Sequence, residues 1–143
     1  MYERILLPTD GSETTEHALE HAIDLADRYD AELHVLYVVD ATIFADDVDT
    51  GAIVEEFETA GERIVDDVAE QARAADVEPV TTAVVRGTPH REILAYADAH
   101  DVDLLVVGTH GRAGIERFLL GSVTEKVVRL SEVPVLVVSR PET

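Results

Sequence analysis

Residues 103–125 read DLLVVGTHGRAGIERFLLGSVTE, and the order of signals in this stretch decides the fold. Leu104 to Val107 are an uncharged apolar run, Gly108 and Gly111 end it, and Gly121-Ser122 opens a short helix that runs to about Leu130. Ser122 and Glu125 have the S-x-x-E spacing of a capping box. A strand apolar on both faces, followed by a glycine loop and a helix, belongs to a parallel sheet covered by helices on both sides.

The same alternation extends outward in both directions. ERILLPT (3–9) is a short apolar run closed by Pro8, Asp10 and Gly11, and SETTEHALEHAIDLADRY (12–29) places Ala18, Ala22, Leu25, Ala26 and Tyr29 on one helical face, with Ser12 as N-cap. ELHVLYVV (32–39) is a second strand. After an Asp-rich loop over 40–50, Ile53, Phe57, Ile64, Val68, Ala72 and Ala75 mark a long helix. PVTTAVVRG (79–87) is a third strand, and Thr88-Pro89 is the N-cap and first position of a helix ending near His100. VPVLVVS (133–139) is the last strand. The expected architecture is α/β: a single doubly wound domain with five parallel strands and helices on both faces. Strand orders 3-2-1-4-5 and 2-1-3-4-5 both satisfy right-handed crossovers. In the first, the ligand crevice lies between strands 1 and 4, whose following loops are TDGSE and GTHGRAG.

The chain has 143 residues, no cysteine and 46% hydrophobic residues, so a packed core is expected and disulfides, thiolate catalysis and cysteine zinc sites are excluded. No apolar run approaches the roughly 20 residues of a membrane span, and the N-terminus enters a strand without a signal-peptide pattern, so a cytoplasmic location is expected. The formal charge is −19, with eleven basic residues of which only Lys126 is lysine. That excess argues against nucleic acid or an anionic membrane as partner. It suits the solvated surface of a protein from a high-salt, halophilic cytoplasm.

Against this background the glycine loop stands apart. Within residues 108–129, Arg112, Arg117, Lys126 and Arg129 outnumber Glu116 and Glu125, a local balance of +2. Glycine at a strand end lets backbone N–H groups approach a ligand, and glycine before a helix presents an anion to the helix's unpaired donors. The segment therefore suits an anion, most naturally phosphate. Spacing alone leaves open that the glycines only cap strand 4 and the last helix. Neither a P-loop motif nor G-x-G-x-x-G after strand 1 is present.

The spacing Gly108-x2-Gly111-x9-Gly121-Ser122, together with ILLPTDGSE after strand 1 and VPVLVV at the end, resembles the universal stress protein family over roughly residues 2–140. The resemblance implies strand order 3-2-1-4-5, commonly a homodimer, and, for members carrying this motif, ATP binding. It implies that Asp10 lies near adenine and ribose with Pro8 and Thr9 beside it, that the backbone of Val38 reads adenine, and that Val107 and Gly108 meet the ribose. It further implies that the phosphates pass His110, Gly111 and Arg112 and settle on Gly121, Ser122, Val123 and Thr124. Mg²⁺ or Mn²⁺ would bridge the phosphates, helped by Asp10. No side chain is placed as an evident base for water attack, so at most slow hydrolysis is expected.

Other signals are weaker. Asp10 as a phosphoacceptor lacks the acid after strand 3 and the lysine after strand 5, and TDGSETT lacks the paired glycines of a PP-loop. An EF-hand starting at Asp47 would need an oxygen ligand and a glycine where Gly51 and Ala52 stand. His17 and His21 are an i,i+4 pair without an evident third ligand. In the 3-2-1-4-5 order strand 5 is an uncharged edge, so a homodimer through Val135, Leu136, Val137 and Val138 is expected to cover it; the chain's own tail is the alternative cover. A nucleotide-independent dimeric interaction protein is the competing function.

Overall fold

The computed structural model describes residues 1–40, 50–109 and 122–139. The elements are β1 (Arg4–Pro8), α1 (Glu13–Tyr29), β2 (Glu32–Asp40), α2 (Thr50–Ala74), β3 (Val80–Gly87), α3 (Pro89–Ala99), β4 (Leu104–Gly108), α4 (Ser122–Leu130) and β5 (Val135–Val138). All five strands pair in parallel, in the order β3-β2-β1-β4-β5. Of the two orders the sequence allowed, the one with its switch point between β1 and β4 is present.

β1 is central because Ile5, Leu6 and Leu7 have no exposed surface; each such side chain contributes about 1.5–3 kcal/mol on burial. Odd positions of β1 and β2 pack against α1 and α2, together with Val65, Val68 and Ala72 of α2. Even positions pack with Ile93, Tyr96 and Ala97 of α3 and Val127 of α4.

The helix faces depart from the sequence expectation in detail. Tyr29 is 41% exposed and packs edge-to-face on Tyr2 instead of entering the core. In α2 the fully enclosed line runs through Val54, Gly61, Val65, Ala69 and Ala72, whereas Ile53, Phe57 and Ile64 are half-buried and Ala75 is exposed beyond the helix end. Gly61 lies on that line: a Cβ there would overlap the Tyr37 ring, so α2 meets β2 at its smallest residue.

Helix ends use aspartate where glycine is commoner. Asp30, Asp76 and Asp101 have φ of 53°, 66° and 53°, and the residues after them return 6→1 bonds from Ala31 to Ala26, Val77 to Ala72 and Val102 to Ala97. At the helix starts, Ser12 and Thr88 stand at the N-cap positions, but neither side chain makes a capping bond. At Ser12 the carbonyl oxygen takes over, accepting from Thr15 Oγ1 at 2.8 Å and from the N–H groups of Thr15 and Glu16. α4 runs from Ser122 to Leu130, the span expected from the sequence.

Candidate nucleotide crevice

The candidate site is the switch point of the sheet, beyond the carboxyl ends of β1 and β4. On the β1 side, the Thr9 N–H continues the sheet by donating to Leu36 O at 2.8 Å. The Thr9 side chain is buried, and its Oγ1 accepts from Gly11 N at 3.2 Å and lies 3.1 Å from Thr15 Oγ1. Asp10 Oδ1 accepts from Ser12 N at 2.9 Å, an Asx turn that Gly11 completes with φ +80°. Pro8 closes β1 half-buried opposite Leu36. The loop is thus folded on its own hydroxyls and carboxylate, and the start of α1 is held close to the strand ends.

On the β4 side, Val107 and Gly108 are buried and in register with Val137 and Val138, and Thr109 N donates to Val138 O at 3.1 Å. Thr124, in the first turn of α4 and 8% exposed, donates its hydroxyl to Gly108 O at 2.6 Å. This bond draws the start of α4 to the end of β4. Ser122 is exposed and Val123 half-buried beside it. Val38 is half-buried on β2, opposite Val85 of β3. His110, Gly111, Arg112 and Gly121 lie outside the described residues.

The Thr124 hydroxyl proton is thus committed to the backbone of β4. One feature escaped the sequence reading: His90 and Arg91 in the first turn of α3 join Lys126 and Arg129 of α4 in a cationic corner. Burial, and then the charges of Lys126, Arg91 and Arg129, hold His90 below the ordinary histidine value. Parallel crossovers bring both helix starts to the same end of the sheet, so strand order was the missing signal. Among the described residues no cluster of three or more His, Cys, Asp or Glu could hold a metal ion. Among the described residues no helix is long and apolar enough to cross a membrane.

A five-stranded parallel sheet of order 3-2-1-4-5 with its switch point between β1 and β4 defines a doubly wound α/β protein. The profile of the universal stress protein family matches residues 1–139, and the chain belongs to that family. It is 38% identical to universal stress protein MJ0531 of Methanocaldococcus jannaschii, over 99% of this chain and 85% of that one. It is 36% identical to universal stress protein MJ0577 of the same organism, over 98% and 96% of the two chains. The solved structure of MJ0577 superposes with a TM-score of 0.91 at 33% identity, covering 100% of this chain and 99% of that one. A universal stress protein solved in complex with cAMP superposes with a TM-score of 0.71 at 28% identity, covering 96% and 97%.

Proposed function

We propose that this chain is an ATP-binding universal stress protein: a cytoplasmic, dimeric, nucleotide-responsive regulatory factor with at most slow hydrolysis. The observation that supports the reading is the Thr124–Gly108 bond, which ties the first turn of α4 to the end of β4, where a helix N-terminus could receive a phosphate. Phosphates would lie at Ser122, Val123 and the motif residues His110, Gly111, Arg112 and Gly121, within reach of the cationic corner. Adenine would lie toward Val38 and ribose against Asp10, Val107 and Gly108. Mg²⁺ or Mn²⁺ would enter with the nucleotide. The relative bound to cAMP supports an adenine nucleotide as the ligand class.

Calorimetric titration of Mg-ATP into nucleotide-free protein in concentrated KCl tests this. One site per chain, lost in a folded Gly121→Val, Ser122→Ala variant, is the expected result. No binding by the folded wild type overturns it.

A second reading, a nucleotide-independent interaction protein, is favoured by the β5 side. Val135, Leu136 and Val137 are only half-buried there, and Val128 and Leu130 of α4 are 43% and 53% exposed. Both readings share a homodimer across Val135–Val138. Sedimentation of Val128→Glu, Leu130→Glu protein, with Mg-ATP affinity measured in parallel, separates assembly from nucleotide binding.

A further inference from the structure

At the amino-terminal end of the strands, remote from the crevice, the sheet and α3 enclose a cluster of titratable side chains that nucleotide binding does not use. His34 is 5% exposed and stands on the face of β2 shared with Glu32 and Leu36, toward α3. Its Nδ1 lies 2.7 Å from the Tyr96 hydroxyl. Tyr96 stacks on His100, with ring centroids 3.8 Å apart and planes inclined by 16°, and His100 Nδ1 donates to Tyr96 O at 3.0 Å. On the other side of His34, the enclosed Nε2 faces Glu32 Oε2 at 3.5 Å without completing a hydrogen bond, and Glu32 Oε1 accepts from Arg4 Nε at 2.9 Å.

Glu32 from β2, Arg4 from β1, and Tyr96 and His100 from α3 are thus the titratable and charged groups facing His34. Its register neighbours Leu6 on β1 and Thr81 on β3 carry no charge. The nearby carboxylate assigns the proton of the neutral imidazole to Nε2, so Nδ1 accepts and the Tyr96 hydroxyl donates. Burial holds His34 below the ordinary histidine value; Glu32 opposes that shift, and His100 and Arg4 reinforce it. A second proton would go to Nδ1 and bring two donors face to face. Tyr96, 8% exposed, would then have to turn its O–H away inside a packed interface.

We propose that His34 and Tyr96 form a proton-operated latch, closed at neutral pH, that holds the carboxyl-terminal half of α3 on the sheet and loosens it on acidification. Nothing in this requires nucleotide, so the latch stands or falls separately from the crevice.

Hydrogen exchange on the intact chain tests it. Between about pH 7.5 and about pH 5, a window spanning ordinary histidine titration, protection factors over Ile93–Ala99 are expected to fall severalfold while those of α1 hold. His34→Gln should abolish the difference. An NMR titration of the His34 ring supplies a second readout: Tyr96→Phe removes the donor to the neutral form and should raise the midpoint. Equal pH responses of α3 and α1, persistence of the α3 response in His34→Gln, or an unmoved or lowered midpoint in Tyr96→Phe would each overturn the proposal.

Discussion

The hydroxyl of Thr124 donates to the carbonyl oxygen of Gly108 across 2.6 Å, joining the first turn of α4 to the last residue of β4. The bond positions α4 against the end of β4, which the proposed nucleotide site would use. Thr124→Val keeps the shape and leaves a buried carbonyl unpaired, so it should cost about 1–3 kcal/mol in chemical denaturation. Mg-ATP affinity should weaken with it. Thr124→Ser keeps the donor and should recover most of both; a larger loss in Thr124→Ser than in Thr124→Val would show that the methyl group matters more than the bond.

Gly61→Ala opposes two effects in α2. Alanine is favoured over glycine in a helix interior by about 1 kcal/mol. The added Cβ, however, would meet the buried Tyr37 ring, and overpacking costs about 1–3 kcal/mol. The clash should win, lowering the urea midpoint, and Tyr37→Leu should turn the same substitution neutral or stabilising.

Asp10→Asn and Asp10→Ala divide structure from charge. Asparagine keeps the acceptor for Ser12 N, so its melting temperature should stay within about 0.5 kcal/mol equivalent of wild type while Mg²⁺-dependent ATP affinity falls. Alanine loses the Asx turn and should also destabilise the protein. Unchanged Mg²⁺ dependence in Asp10→Asn would remove Asp10 from the metal role.

Stability should fall on the acid side through His34. Its folded-state value is depressed, so the unfolded chain takes up the proton first. The contribution is complete above the unfolded value of about 6.5 and is lost as pH falls through the folded value. Tyr96 behaves oppositely. Burial and then Glu32 raise it, so its contribution is complete below about pH 10 and is lost at more alkaline pH. Melting temperature against pH should therefore decline on the acid side more steeply in wild type than in His34→Gln.

A charge of −19 makes the folded state self-repelling. Raising KCl from about 0.1 M to about 1 M shortens the screening length from about 10 Å to about 3 Å, which should raise the melting temperature. A flat or falling response would argue against adaptation to high salt.

Much of the fold was legible because it depends on local periodicity. The run LLVVG in β4 lacks charge because both of its faces are covered, and Ile5 to Leu7 of β1 behave alike. The strand order was narrowed to two candidates, and only the fold selected the one with its switch point between β1 and β4. Side-chain roles were harder to read. Ser12 stands at the N-cap position without capping through its hydroxyl, and its carbonyl oxygen accepts from the N–H groups of Thr15 and Glu16 instead.

The sequence by itself determined the layers, the crevice loops and the acid-poor glycine segment, because burial period, turn chemistry and local charge are written within a few neighbouring residues. Only the tertiary structure decided which atoms meet. His34 and Tyr96 are 62 positions apart, and neither periodicity nor composition shows that they share a 2.7 Å contact. The same holds for Gly61 under Tyr37 and for His90 beside Lys126. Such pairs depend on the register and approach of whole elements, which the close packing of the finished core imposes.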